Sequence, residues 1–251
     1  MLDFRTPLLN VAGALGFFPR SRGTIPINAL GAFITNPISA QARKSANAAQ
    51  QIDFPGGVLL HSGHPNPGIS ACIKQYGEKW SRAPLPIIVH LLADDASKIK
   101  ADTRRLEEID NIMAIELGLH PQADVALVRQ LCTAALGELP LIAHLPFDRA
   151  QELAPVVIEA GISAISLAAP RGRLPDEQQE LVAGRLYGPS IFPQALQLVE
   201  IFSSYEIPLI GSGGIYQKEQ AVTMLEAGAT AVQLDTVLWK TDMQLKEWLP
   251  I

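Results

Sequence analysis

Cysteine is scarce in this sequence. Cys72 and Cys132 are the only two, 60 positions apart in helix-like segments, which excludes a disulfide framework or a CxxC site and leaves two reduced structural thiols. Charge is sparse as well: charged residues make up 18%, with Lys plus Arg at 20 against Asp plus Glu at 25. No basic run occurs, which excludes a nucleic-acid footprint or a polybasic membrane patch and points to a small-molecule ligand. Long apolar runs are missing, since none approaches the ~20 residues that cross a bilayer. The start MLDFRTPLLNV lacks the basic-then-apolar pattern of a signal peptide, so a cytoplasmic protein is expected. Clustered glycine and proline are missing too. The 19 of each are spread along the chain, and with 48% apolar residues this excludes disorder.

What is present is alternation. Short apolar or β-branched runs predict strands at 7–12, 30–36, 86–91, 112–118, 139–145, 163–168, 207–211 and 229–235. Between them lie segments of helical period. DDASKIKADTRRLEEID carries Ile99, Leu106 and Ile109, and QADVALVRQLCTAAL carries Val125, Val128, Leu131 and Ala135, each giving one apolar stripe to bury against a sheet. IEAGISAISL at 158–167 and LEAGATAVQL at 225–234 form a faint repeat, with Gly161 and Gly228 placed as left-handed helix caps. Eight strands with intervening helices and no break in composition predict an α/β chain, a single (β/α)8 TIM-barrel domain over 1–251. Two longer excursions, 37–85 and 169–206, are expected to cover its mouth.

In such a barrel the chemistry sits at the carboxyl ends of the strands. Of the five histidines, His90, His120 and His144 fall at or just past the ends of strands three, four and five, while His61 and His64 lie in LLHSGHPNPG of the first excursion. A single such histidine is more often structural; five on one face point to a ligand pocket. The second signal is IGSGGI at 210–215. There Gly213 and Gly214 let backbone N–H groups approach a phosphate after strand seven, and Thr236 ends strand eight. A tight turn without a ligand is the competing reading.

LLNVAGALGF, GAFITN, GGVLLHSGHPNPGI, AIELGLHP, AISL, YGPSIFPQAL, IPLIGSGGI and LEAGATAVQL occur in order from about residue 7 to about 239. In order and wording they resemble the dihydroorotate dehydrogenases, FMN-dependent barrels that oxidise dihydroorotate to orotate in pyrimidine biosynthesis. The resemblance implies FMN as cofactor, with Ala12 and Gly13 against the flavin ring and Gly188, Gly213, Gly214 and Thr236 at its phosphate. It also implies a homodimer, and in one class an iron–sulfur flavoprotein partner.

The departures bear on the substrate. Where the family has Thr-Lys after strand two, this chain has Thr35-Asn36, and the loop asparagine is Leu60. Asn-x-Ser-Cys-Pro-Asn becomes Gly118-Leu119-His120-Pro121-Gln122, the strand-five lysine becomes His144, the strand-six asparagine becomes Ala169, and Gly-Thr becomes Asp235-Thr236. Three readings stay open. The first is a flavoprotein oxidoreductase of altered specificity, with His120 as base, His144 facing the cofactor, and His61, His64, His90 and Asn36 around the substrate. The second is a barrel without catalysis that binds a phosphate ligand or a partner. The third is a metal-dependent hydrolase on His90, His120 and His144 with Asp94 or Asp95.

Overall fold

The computed structural model describes residues 2–20, 27–47, 50–240 and 245–249. Eight strands run parallel in one sheet: β1 (Leu8–Asn10), β2 (Phe33–Ile34), β5 (Ile87–Ala93), β6 (Ile112–Leu119), β7 (Leu141–Leu145), β8 (Ala164–Leu167), β11 (Leu209–Ser212) and β12 (Ala231–Leu234). Their spatial order is β1-β12-β11-β8-β7-β6-β5-β2, and a parallel bridge from Leu9 to Ala32 brings the two end strands together into a barrel. Each predicted strand is there; most are shorter than expected, while Ile87–Ala93, Ile112–Leu119 and Leu209–Ser212 run past the expected carboxyl end.

Six α-helices accompany the strands among the described residues: α1 (Ile69–Ser81), α2 (Ala96–Glu107), α3 (Val125–Ala135), α4 (Ala150–Glu159), α5 (Phe192–Phe202) and α6 (Lys218–Glu226). Asp95 and Asp124 cap α2 and α3 by accepting from the N–H groups of Ser97 and Leu127. Gly161 (φ 90°) and Gly228 (φ 113°) follow α4 and α6 in the left-handed region, as expected of the repeat. The α3 stripe is rotated from the expected one, because Val125 is exposed and Cys132 takes its place beside Val128, Leu131 and Ala135. Ile109 lies beyond the end of α2. Burial pushes the thiols of Cys72 and Cys132 up to about 12, so both are unreactive core groups.

The barrel interior is built by period-two alternation. Leu9, Ile34, Ile88, Ala114, Ile142, Ala164, Ile210 and Ala231 pack into one inner cluster, with alanine and isoleucine alternating from β12 to β5. Two residues further along, on the same side of their strands, stand His90, Glu116, His144, Ser166, Ser212 and Gln233, while Val11 and Asn36 fall just past the ends of β1 and β2. An apolar plug thus carries a polar layer directly above it.

The excursions are not loops. The first forms the hairpin β3 (Gln50–Phe54) and β4 (Gly57–His61), and the second forms β9 (Arg171–Pro175) and β10 (Leu181–Tyr187). They join in one antiparallel sheet, β3-β4-β10-β9, over the carboxyl ends of the barrel strands.

Candidate active site

The polar layer closes on one carboxylate. Glu116 is fully buried, and its Oε2 lies 2.6 Å from His90 Nδ1. Its Oε1 accepts from Ser166 Oγ at 2.7 Å and from Gln233 Nε2 at 2.6 Å, with His144 Nδ1 at 3.5 Å. Burial works to raise the Glu116 pKa, but the two histidines and their hydrogen bonds hold it well below the ordinary range, so Glu116 is an anion. Burial lowers the His90 pKa despite Glu116, so the ring is neutral. An anionic acceptor at Nδ1 then fixes the tautomer: His90 donates Nδ1–H and keeps the Nε2 lone pair. The same reasoning reaches His144 through Ser166. Ser166 spends its hydrogen on Glu116, so its oxygen accepts from His144 Nδ1 at 2.8 Å. The two imidazoles meet edge to face, with centroids 5.1 Å apart.

Room for this pair is made by Gly118, where a Cβ would come within 2.5 Å of His90 Nε2. The absence of a side chain at 118 and the presence of a histidine at 90 on the neighbouring strand are therefore sterically linked.

Above the layer lies a cavity of about 550 Å³, lined from the barrel by His90, His144, His120 and Ala169, from the covering sheet by Leu60, His61, Arg171, Arg185 and Tyr187, and by His64 just after β4. That volume suits a small ligand. Four arginines reach it, in two different states. Arg43 pairs with Asp94, and Arg149 holds Glu152 and the carbonyls of Pro121 and Ala123. Arg171 and Arg185, paired across β9 and β10, have no hydrogen-bond or ion-pair partner among the described residues. Burial and Arg171 both lower the Arg185 pKa, against Tyr187. Beside them His64 adopts φ 54°, its Nε2 is buried without a partner, and burial with Arg185 lowers its pKa to about 2. A left-handed conformation at a non-glycine residue is costly and typical of functional sites.

His120 is exposed at the rim, where Nδ1 accepts from Gln122 N–H at 3.2 Å. Asn36 does not line the cavity; its Oδ1 accepts from Gly16 N–H at 3.0 Å and pins the loop after β1. Asp94 is committed to Arg43 and Asp95 to the α2 cap, which leaves the hydrolase reading without its carboxylate. Among the described residues no group of three or more His, Cys, Asp and Glu could hold a metal ion. Glu116, Ser166, Gln233 and Arg185 were missed by motif reading. The alternation would have found the first three, since each lies two residues after an inner-layer alanine (Ala114, Ala164, Ala231).

A family model, dihydroorotate dehydrogenase, matches residues 1–248. The chain belongs to the dihydroorotate dehydrogenase family. Similar relatives are dihydroorotate dehydrogenase B (NAD(+)) catalytic subunits from Desulforudis audaxviator (26% identical, 94% of this chain, 83% of the relative) and Pelobacter propionicus (27%, 98% and 88%). A third, from Latilactobacillus sakei, is 28% identical over 94% of this chain and 84% of its own.

Family membership implies FMN, and the residues present match it at one end only. Ala12 and Gly13 line a smaller space of about 70 Å³ that continues from the mouth towards Asp235, Thr236 and Trp239. At its far end the Gly214 N–H points at Asp235 Oδ2, 3.3 Å away, and Thr236 Oγ1 lies 3.2 Å from Asp235 Oδ1. Gly188, Gly213 and Gly214 have positive φ, and a Cβ at Gly214 would sit 2.4 Å from Phe192 N, one at Gly188 2.3 Å from Gly56 O. Close backbone packing thus accounts for Gly188 and Gly214 without a ligand. The phosphate end does not fit FMN.

Proposed function

We propose that this protein is a dihydroorotate dehydrogenase-like oxidoreductase of altered specificity, whose substrate is a small anion held in the barrel mouth. One observation carries the reading: the guanidinium groups of Arg171 and Arg185, without partners among the described residues, share a cavity with a layer in which Glu116 holds His90 directly and His144 through Ser166. Arg185 is half-buried without a counter-ion, a costly state that an arriving anion relieves, and the exposed Arg171 lies beside it. Arginine offers a planar fork that suits carboxylate or phosphate oxygens.

In this reading Arg185 and Arg171 orient the substrate's anionic group, with Tyr187 and His64 beside it. The Nε2 of His144 or His90 takes a proton from the substrate, and Glu116 stabilises the resulting imidazolium through Nδ1–H or through Ser166. His120, at the rim, is better placed to contact the substrate's outer end than to act as the base. The oxidation also needs a hydride acceptor, and a flavin ring against Ala12 and Gly13, held without its phosphate, would supply that chemistry. By the same family extension we propose a cytoplasmic homodimer with a flavoprotein partner, to be tested by light scattering and pull-down.

The test is ligand binding. Small mono- and dicarboxylates and inorganic phosphate are screened by calorimetry against the wild type, Arg185→Gln and Arg171→Gln. An anion that binds the wild type and loses tenfold or more in Arg185→Gln, with circular dichroism unchanged, supports the proposal. Equal binding to the wild type and to Arg185→Gln would refute it.

A further inference from the structure

We propose that the Asp235 carboxylate is a built-in occupant of the anion nest at the ends of β11 and β12, so that this barrel rejects phosphate-bearing cofactors, FMN included. The nest is formed by the donors that the fold gathers there, the N–H of Gly214 and the Thr236 hydroxyl, at the start of the 3-10 turn Thr236–Trp239. Such donors favour an anion. Here the chain supplies the anion itself, with Asp235 97% removed from solvent at 3% exposure and its two oxygens turned to Gly214 and Thr236.

The remaining donors are committed in the same way. Tyr216 OH lies 2.5 Å from Thr236 Oγ1, so that hydroxyl is engaged on both sides. Trp239 Nε1 donates to Ala14 O at 3.0 Å and ties the 3-10 turn to the loop after β1. A phosphate entering here would have to displace a tethered carboxylate from its donors and then lie against it, and like charges at contact distance repel strongly. Burial raises the Asp235 pKa and so works against its charged form, while the bonds from Gly214 and Thr236 favour that form. The flavin phosphate therefore has no place in the wild-type chain, while the ring-sized mouth above it stays open.

The experiment compares FMN with riboflavin, which lacks only the phosphate, by fluorescence quenching on the full chain. The wild type is expected to bind FMN no more than threefold tighter than riboflavin, and to lose added FMN on desalting. Asp235→Gly empties the nest and should gain thirtyfold or more for FMN with riboflavin unchanged, and inorganic phosphate should compete with that gain. Asp235→Ser serves if the glycine variant does not fold. Two results would overturn the proposal: wild type holding FMN tenfold or more above riboflavin, or a folded variant that gains nothing for FMN. The anion reading of the mouth stands or falls separately, since Arg185→Gln leaves the ends of β11 and β12 untouched.

Discussion

At the scale of single residues, Glu116 decides most. It is the acceptor for His90, Ser166 and Gln233, and replacing it by glutamine turns one acceptor oxygen into a donor that must face one of those donors. A buried mismatch of this kind costs about 2–3 kcal/mol. Near this chain length that lowers Tm by roughly 5–10 °C, measurable by calorimetry. The chemical consequence is sharper. If the amide NH₂ of Glu116→Gln turns to His90, Nδ1 becomes an acceptor and the proton moves to Nε2, the atom facing the cavity. Nitrogen-15 shifts of the ring should then show the reversed tautomer, and turnover should fall by about 10² or more where His90 is the base. Retained turnover with a reversed tautomer would assign the proton transfer to His144 alone.

At the scale of elements, the seam between β1 and β2 shows why strand prediction succeeded yet understated the design. β2 has only Phe33 and Ile34, too short to build a ladder with β1, and the side chain of buried Asn10 supplies the missing bonds. It accepts from Ile34 N–H at 3.0 Å and donates to Ile34 O at 2.7 Å. Asn10→Ala leaves both backbone groups without partners and should cost about 2–4 kcal/mol in urea unfolding. Exchange of the Ile34 amide should speed up in parallel, and an unchanged rate would show that the seam is held by packing alone.

The eight barrel strands were legible because each is a run buried on both faces, and hydropathy alone marks it. The covering sheet was not legible. β9 is RGRLP, with an alternating exposed pattern and little apolar content, and it is paired only because β10, itself paired to β4, lies beside it. The site divided along the same line. Histidines at strand ends could be seen in the sequence, whereas Arg185 acquires its meaning only when the excursion folds back over the mouth.

At the scale of the whole molecule, the buried groups set how stability responds to pH. His90 and His64 have folded-state pKa values below the ordinary ~6.5 of the unfolded chain. Below pH 6.5 the unfolded state therefore binds protons that the folded state refuses, and stability falls as pH drops towards the folded values. Each such histidine contributes a slope of up to about 1.4 kcal/mol per pH unit. Glu116, depressed in the fold, adds a loss of the same sign at lower pH, once the solution passes below the unfolded carboxylate value. Asp235, raised by burial, acts in the opposite sense, its contribution being fully present in acid and lost as pH rises through its folded value. Two histidines outweigh one aspartate over the range from pH 7 to 5, so urea unfolding should show a net loss of about 1–3 kcal/mol. His90→Asn removes one of the two and should reduce that loss by about half, while Asp235→Asn should deepen it. If wild type and His90→Asn lose the same amount, His90 is protonated in the folded state. The tautomer assigned through Glu116, and with it the role of His90 Nε2 as a base, would then be withdrawn.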